Sequence, residues 1–392
     1  MRDAALYIHV PFCRHKCVYC DFYSITDLLS VPRFLSSLIR EIDLYSRDPY
    51  WQESEFSTIF LGGGTPSLFK DNQFVTLSNE LKKGFHFATL EFSCESNPSH
   101  LDESRLSAMN HAGINRLIIG AQSFHANELE FLQRIHGPGQ IETSFTLARE
   151  RGFDNLGLDL IFAIPFQTLD SWQHSLVRAV ELSPEHLSLY GLTFERNTPL
   201  FNMVESKAIT PCDEELEREM YGFACQFLRE QGYEHYEISN FCKPGFEAKH
   251  NIKYWDGSPY LGLGPSAHSF YGSERSWNVS DIDRYSNLVN QGKRAVEQSE
   301  RLDLQLKATE MVMLGLRQRT GIDCVLWEQL VGQSLLQDPH IQELGIDEGG
   351  EPFEPSKNNA FLTYTHQRLA LTRQGLLIYD SICEQIIQYG VK

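Results

Sequence analysis

The sequence lacks any hydrophobic run long enough to cross a bilayer, and residues 1–5 have no apolar signal core. It also lacks an excess of positive charge, because 34 Lys and Arg residues stand against 52 Asp and Glu residues, for a net charge of −18. Nucleic-acid-binding proteins usually carry a basic footprint. These absences predict a cytoplasmic protein without a nucleic-acid partner.

The nine cysteines do not show the paired pattern of a disulfide framework. Six of them are scattered singly, which indicates reduced thiols. The other three, Cys13, Cys17 and Cys20, lie in one loop that follows an apolar, strand-favouring stretch at residues 6–10. Thiolates at such short spacing can converge on an iron–sulfur cluster. Because a cubane cluster has four irons, three cysteines would leave one iron open for an exchangeable ligand.

A zinc site is the main alternative for this loop. Zinc sites usually show a second Cys-x-x-Cys-like pair or added histidine ligands, and no second pair follows here. His9 and His15 are the two residues that would complete such a site. A disulfide is the weaker alternative, since nothing in the chain indicates an oxidising compartment.

Strand-favouring apolar segments recur along the first half of the chain, each followed by an amphipathic stretch. Alternation at about thirty residues per unit predicts βαβ units and a parallel sheet. A barrel and an open doubly wound sheet both fit this count, and in both folds ligands bind at the carboxyl ends of the strands. The six predicted strands are residues 6–10, 57–61, 90–94, 116–120, 156–164 and 186–190.

Glycines and polar residues lie at these strand ends. The Gly-Gly-Gly-Thr-Pro-Ser segment at residues 62–67 lacks the Gly-Lys-Ser/Thr ending of a phosphate loop and indicates only a close approach of the backbone. Glu95 follows the third strand, and Asp159 lies inside the fifth. Taken singly, each residue has an ordinary explanation: a surface ion pair for Glu95 and Arg134, and a core acid held by backbone donors for Asp159.

Taken together, these features resemble the radical S-adenosylmethionine (SAM) superfamily, and within it the family of oxygen-independent coproporphyrinogen III oxidase and the heme chaperone HemW. The Cys-x3-Cys-x2-Cys loop and the glycine-rich segment carry the resemblance in the expected order. It implies an α/β partial (β/α)6 TIM-like barrel with a 4Fe-4S cluster on Cys13, Cys17 and Cys20, whose open iron binds SAM. The residues that it assigns to SAM are Tyr7, Tyr19, Gly63, Gly64, Thr65, Glu95, Gln122, Arg134 and Asp159.

Beyond residue 195 the alternation becomes irregular. We expect the barrel to span residues 1–240, an irregular connection to span 241–300, and a C-terminal domain typical of this family to span 301–392. The order of its elements predicts a small, mostly helical, winged-helix-like unit. Winged helices often bind DNA, but this segment carries more acidic than basic residues, which favours a packing or lid role.

The His-Asn-x-x-Tyr-Trp run that begins at His250 resembles a motif of the heme chaperones, where its histidine is linked to heme binding. Imidazole is a standard axial ligand of heme iron, and Tyr254 and Trp255 could stack on the macrocycle. The alternative for a single histidine is a hydrogen-bonded structural role. Phe22 stands where the oxidases carry an extra cysteine, which argues against the oxidase reaction.

The sequence therefore predicts a heme chaperone that binds heme, a 4Fe-4S cluster and SAM. Its partners would be heme-accepting apoproteins, with the membrane as one place to meet them, and an electron donor for the cluster. The first alternative is an enzyme, oxygen-independent coproporphyrinogen III oxidase of porphyrin biosynthesis, which converts two propionates to vinyl groups. The second is an RNA-modifying radical enzyme, and the acidity of the chain argues against it.

Overall fold

Parallel strands form the centre of the computed structural model, which describes residues 1–390 of the chain. All six strands predicted from the sequence are present, and each pairs in parallel with the next. Most are longer than predicted, because the ladder hydrogen bonds extend past the apolar runs. The strands are β1 (Arg2–Val10), β2 (Ser54–Gly63), β3 (His86–Ser96), β4 (Arg116–Gln122), β5 (Leu156–Phe162) and β6 (His186–Gly191).

Helices connect these strands and cover the sheet. The first of them, α1 (Val31–Ser46), buries Phe34, Leu38 and Ile42 on one face because these residues are spaced four apart. Throughout residues 1–390, every helix is too short or too polar to span a bilayer. The helices are α1 (Val31–Ser46), α2 (Pro49–Gln52), α3 (Asp71–Gly84), α4 (Glu103–Ala112), α5 (Ala126–Phe131), α6 (Pro138–Glu150), α7 (Leu169–Glu181), α8 (Pro199–Glu205) and α9 (Glu214–Glu230), with short 3-10 helices at Leu28–Ser30, Pro66–Leu68 and Pro98–His100.

Residues 233–301 extend both edges of the sheet. Residues 234–242 form two antiparallel strands, since the chain turns back at residues 238–239. Residues 241–300, expected as an irregular connection, contain two helices, three complete strands and most of a fourth. The elements are β7 (Glu234–Glu237), β8 (Asn240–Cys242), α10 (Lys249–Trp255), β9 (Tyr260–Leu263), β10 (His268–Tyr271), β11 (Glu274–Asn278), α11 (Ile282–Asn290) and β12 (Val296–Arg301).

The resulting sheet has twelve strands and does not close on itself. Its order is β12-β11-β10-β9-β1-β2-β3-β4-β5-β6-β8-β7, so the two end strands have no pairing with each other in the described chain. The strand β9 joins the edge of β1 in parallel, whereas β8 joins the edge of β6 antiparallel. This arrangement is the open form of the partial barrel that the sequence predicted.

The last part of the chain has a hydrophobic core of its own around Trp327, Leu362 and Ile382. It is mostly helical with a small sheet of order β13-β16-β15-β14, as the sequence predicted. The domain boundaries at residues 240 and 300 stay a prediction. The elements are α12 (Leu304–Arg317), β13 (Ile322–Asp323), α13 (Cys324–Val331), a 3-10 helix (Leu335–Gln337), α14 (Pro339–Glu343), β14 (Ile346–Glu348), β15 (Leu362–Thr365), β16 (Arg368–Leu371), α15 (Arg373–Leu376) and α16 (Tyr379–Gly390).

An ion pair joins this C-terminal unit to the large sheet. Arg317, at the end of α12, lies with its Nε 2.7 Å from Oε2 of Glu237 on β7. The Glu237 side chain is fully buried, and the Arg317 side chain is one quarter exposed. The Arg317 guanidinium also donates to the Ser239 hydroxyl at 3.3 Å. The two hydrophobic cores are therefore connected through a charge that is largely withdrawn from water.

Candidate functional site

A cavity of about 1100 Å³ opens at the carboxyl ends of the parallel strands. Small-molecule sites usually occupy about 300–1,000 Å³, so this cavity has room for more than one ligand. All the predicted site residues except Tyr7 and His250 line it. They are Cys13, Cys17, Cys20, Tyr19, Gly63, Gly64, Thr65, Glu95, Gln122, Arg134 and Asp159.

The cysteine loop is held in place by the backbone that follows β2. The Gly64 N–H donates to the Val10 carbonyl at 2.9 Å, and the Thr65 N–H donates to the Phe12 carbonyl at 2.7 Å. A side chain on Gly64 would bring a Cβ within 2.6 Å of the Phe12 carbonyl oxygen, so only glycine fits. The Cys13 N–H donates to the Ile25 carbonyl at 3.0 Å and closes the other side of the loop.

The three cysteines of the loop are suited to hold an iron–sulfur cluster. They are free thiols at intermediate burial, and all three face the same cavity. The Thr65 hydroxyl donates to the Cys13 sulfur at 3.5 Å, and the Arg134 guanidinium donates to the Cys17 sulfur at 3.6 Å. Hydrogen bonds to the sulfurs are one of the means by which proteins tune such clusters. Burial raises the pKa of the Cys20 thiol to about 11, so its thiolate needs the charge of a bound metal.

The zinc alternative is not supported by the positions of the two histidines. His9 is buried, with its Nδ1 3.0 Å from the Tyr7 hydroxyl and its Nε2 2.8 Å from the Tyr23 carbonyl. His15 is exposed and pairs with the Gln133 side chain at 3.2 Å. Within residues 1–390, no three His, Cys, Asp or Glu side chains surround one point as ligands of a single ion. A cubane does not need that arrangement, because each thiolate binds a different iron.

Two carboxyl groups give the cavity a preference for a cationic ligand. The Gly63 N–H donates to Oε2 of Glu95 at 3.1 Å. Burial raises the pKa of Glu95 to about 8, and the nearby Asp159 adds to the rise. Burial also raises the pKa of Asp159 to about 6, although the Ser188 hydroxyl and two arginines oppose it. A ligand with a sulfonium and an ammonium group, such as SAM, would stabilise both carboxylates.

Arg134 and Gln122 shape the wall at the end of β4. The Arg134 guanidinium donates to the Gly120 carbonyl at 3.0 Å and also lies beside Tyr19. Gln122 adopts a φ of 68°, in the left-handed region that is costly for a residue other than glycine. Strain of this kind concentrates at functional sites, where the surrounding structure maintains it. These three predicted residues therefore form one continuous wall next to the cysteine loop.

Tyr7 and His250 lie outside the cavity, behind its wall. His250 is 1% exposed, its Nδ1 is 2.9 Å from the Thr58 hydroxyl, and its Nε2 is 2.9 Å from the Tyr254 hydroxyl. Burial lowers the pKa of His250 to about 3, so the ring is neutral. Both nitrogens are occupied, and the neighbouring Trp255 packs under the Arg317 guanidinium. The geometry therefore favours the structural alternative for His250 over heme ligation.

The cavity also contains residues that sequence reasoning missed. Ser96 and His100 line it just beyond Glu95, and the motif that directed attention to Glu95 ends before His100. Tyr190 and Leu377 also line the cavity, and Leu377 comes from the C-terminal unit. No local pattern marks Leu377, because its position depends on how that unit packs on the sheet.

Comparison with known proteins identifies the family to which the chain belongs. Residues 7–179 match the family model of the radical SAM superfamily. The chain is 35% identical over 333 residues to the heme chaperone HemW of Bacillus subtilis (strain 168), which covers 84% of this chain and 87% of that protein. It is 38% identical over 267 residues to the heme chaperone HemW of Escherichia coli (strain K12), covering 67% and 69% respectively. The chain belongs to the HemW family of radical SAM proteins, which confirms the resemblance found in the sequence.

A solved structure confirms the fold. Coproporphyrinogen III oxidase (HemN) from Escherichia coli, described as a radical SAM enzyme, superposes with a TM-score of 0.81 over 99% of this chain and 91% of that one. At 23% identity this likeness concerns the fold and not the reaction. Membership of the radical SAM superfamily makes a 4Fe-4S cluster and SAM the cofactors of this chain, as the sequence predicted.

Proposed function

We propose that the protein is a heme chaperone, which binds heme together with a 4Fe-4S cluster and SAM and passes the heme to acceptor proteins. The observation that carries this proposal is similarity to heme chaperones over most of both chains, 84% of this one and 87% of the Bacillus subtilis protein. The size of the cavity supports it, since SAM alone would leave space unfilled. Acceptor apoproteins, an electron donor for the cluster and a cytoplasmic location, which the nine free cysteines favour, belong to the same proposal.

In this proposal the inner part of the cavity holds the cluster and SAM. Cys13, Cys17 and Cys20 bind the cluster, which supplies an open iron for the amino and carboxylate groups of SAM. The backbone at Gly63 and Gly64 approaches SAM closely, and the Thr65 hydroxyl lies beside it. Glu95 and Asp159 balance the positive charge of SAM, while Gln122, Arg134 and Tyr19 fix its orientation. Tyr7 acts from behind this wall, through its hydrogen bond to His9.

The outer part of the cavity is the proposed location of heme. Three exposed side chains that are largely apolar line the cavity: Phe22 is 62% exposed, Leu377 is 43% exposed and Tyr190 is 41% exposed. A flat apolar macrocycle would cover these side chains and remove them from water. The buried position of His250 behind Tyr7 and Phe60 supports a heme site in the cavity rather than at the His-Asn-x-x-Tyr-Trp helix.

Titration of the anaerobically reconstituted protein with hemin, followed by visible absorption, tests the proposal. We expect saturable binding, and then transfer of the heme to apomyoglobin as a generic acceptor. Absence of saturable binding would remove the chaperone function. The enzyme alternative is tested in parallel with SAM, a reductant and coproporphyrinogen, where formation of protoporphyrinogen would identify an oxidase instead.

A further inference from the structure

An unpaired histidine lies in the wall of the cavity. His100 ends the 3-10 helix Pro98–His100, directly after β3, and its side chain lines the cavity. The residue is only 7% exposed, yet within residues 1–390 neither ring nitrogen has a hydrogen-bond partner. Buried polar atoms without partners are uncommon in folded proteins, and each one calls for an explanation. A bound ligand is the explanation that fits a side chain facing a cavity.

Two further polar groups without partners lie in the same wall. The Ser96 hydroxyl is buried, since Ser96 is 6% exposed, and so is Nε of Arg134, and neither has a hydrogen-bond partner in the described chain. These residues are neighbours: a Cβ placed on Gly120 would lie 3.2 Å from the Arg134 guanidinium and 3.7 Å from the Ser96 carbonyl oxygen. Ser96 and Arg134 therefore flank Gly120, and the charge of Arg134 is close enough to His100 to lower its pKa.

The charges around His100 favour an anionic ligand group. Burial and, to a smaller extent, the guanidinium groups of Arg14, Arg105 and Arg134 together lower the pKa of His100 to about 4. The imidazole is therefore neutral at pH 7, with one N–H to donate, in a region of positive potential. In the free protein Glu95 does not cancel this potential at pH 7, because its raised pKa keeps it mainly protonated. Arginine together with neutral donors is a usual environment for a carboxylate.

We propose that Ser96, His100 and Arg134 form a carboxylate subsite, where the carboxylate of a cavity ligand accepts hydrogen bonds from all three side chains. Two ligands of this cavity carry that group: SAM has one carboxylate, and heme has two propionates. The heme arm of the proposal rests on the proposed function, whereas the SAM arm rests only on membership of the radical SAM superfamily.

Replacing His100 by phenylalanine tests the subsite, because it preserves a ring and removes the donor. Dissociation constants are measured on the anaerobically reconstituted protein for four ligands: SAM, decarboxylated SAM, heme and heme dimethyl ester. We expect His100→Phe to weaken either SAM or heme about tenfold or more, and to leave the corresponding carboxylate-free ligand unchanged. The ligand that is weakened identifies the source of the carboxylate. His111→Phe, at an exposed position on α4, is the matched control.

Three outcomes would overturn the subsite. Unchanged binding of both SAM and heme would show that His100 contacts neither, and equal weakening of a ligand and its carboxylate-free form would show a structural role. If His100→Phe does not fold, Ser96→Ala and His100→Gln replace it. Ser96→Ala must weaken the binding of SAM or heme and leave the binding of the corresponding carboxylate-free ligand unchanged. His100→Gln must retain part of the affinity for the carboxylate-bearing ligand. A wild-type protein that binds SAM but no heme removes the proposed function, while the SAM arm still tests the subsite.

Discussion

At the scale of single residues, burial sets the charge of Glu95 before any ligand arrives. Its pKa of about 8 means that most of the free protein carries a protonated Glu95 at pH 7. Because that pKa is raised above the unfolded value, Glu95 lowers the stability of the free protein progressively as the pH rises from about 4.5 through 8. A cationic ligand beside the carboxylate reverses this preference and favours loss of the proton.

The affinity for SAM should therefore depend on pH. We expect it to rise by up to tenfold per pH unit between pH 6 and 8 and then to level off, with uptake of SAM releasing about one proton. Calorimetry in two buffers of different ionisation enthalpy measures the proton, and titrations across the pH range measure the slope. Glu95→Gln should flatten the profile, and the exposed Glu150→Gln should not. A slope that survives in Glu95→Gln would assign the proton to another group.

His250 should behave as a structural residue. His250→Ala leaves the Thr58 and Tyr254 hydroxyls without their partner and opens a cavity, so we expect the free energy of unfolding to fall by about 2–4 kcal/mol. Denaturant unfolding measures that change, and hemin titration of the same variant should match the wild type. Loss of heme binding at unchanged stability would instead make His250 the heme ligand that its motif suggested.

At the scale of the element, the segment after β2 positions the cysteine loop through backbone contacts alone. Gly64→Ala would place a methyl group 2.6 Å from the Phe12 carbonyl oxygen and 2.8 Å from the Val10 carbonyl oxygen, so the two segments must separate. We expect the variant to fold but to retain less iron and sulfide after reconstitution, and to bind SAM weakly. Iron and sulfide analysis measures this effect.

Gly139→Ala is the matched control for that experiment. It lies in the first turn of α6, where a Cβ would meet nothing within 4 Å, and alanine is the better helix former. Iron and sulfide content should match the wild type in this variant. If Gly64→Ala also retained the full cluster, the close approach of the two segments would not be what positions the loop.

The elements themselves were largely predictable, and the reason is local. Apolar strand runs and helical spacing are short-range signals, so six parallel strands and α1 could be predicted from the sequence. The pairing of β9 with β1 could not, because residues 5 and 260 meet only in the folded sheet. The same reason explains which site residues could be predicted. The cysteines and Glu95 lie in recognisable local motifs, whereas tertiary packing brings Leu377 to the cavity and buries His250.

At the scale of the whole molecule, the Arg317–Glu237 pair connects the two hydrophobic cores. Arg317→Met would leave Glu237 buried without its counter-charge, and breaking a buried pair in this way usually costs about 3–5 kcal/mol. We expect the free energy of unfolding to fall by an amount near the lower end of this range, since Arg317 is partly exposed. The unfolding transition should also become broader, because the two cores would unfold less cooperatively. Denaturant unfolding followed by circular dichroism and tryptophan fluorescence measures both effects.

Arg47→Met provides the comparison for that change. Arg47 pairs with Asp43 on the surface, where both side chains are more than half exposed, and such pairs contribute about 0–1 kcal/mol. If Arg317→Met lowered the free energy of unfolding no more than Arg47→Met, the two cores would be coupled by apolar packing and by the backbone hydrogen bonds between residues 236–238 and 317–319, and not by this charge.

Because the twelve-stranded sheet does not close, its open ends affect how the proposed heme ligand could leave the cavity. In a closed barrel, a wide planar molecule could leave between two strands only after their backbone hydrogen bonds had broken. Here β7 and β12 are not paired with each other in the described chain, and the C-terminal unit contributes Leu377 and Asp380 to the lining of the cavity. Two backbone hydrogen bonds hold this unit to the sheet, from the Ile238 N–H to the Arg317 carbonyl at 3.1 Å and from the Arg319 N–H to the Tyr236 carbonyl at 3.0 Å. If heme occupies the outer part of the cavity as proposed, its departure requires only these few contacts to break and leaves the pairing of the central strands intact.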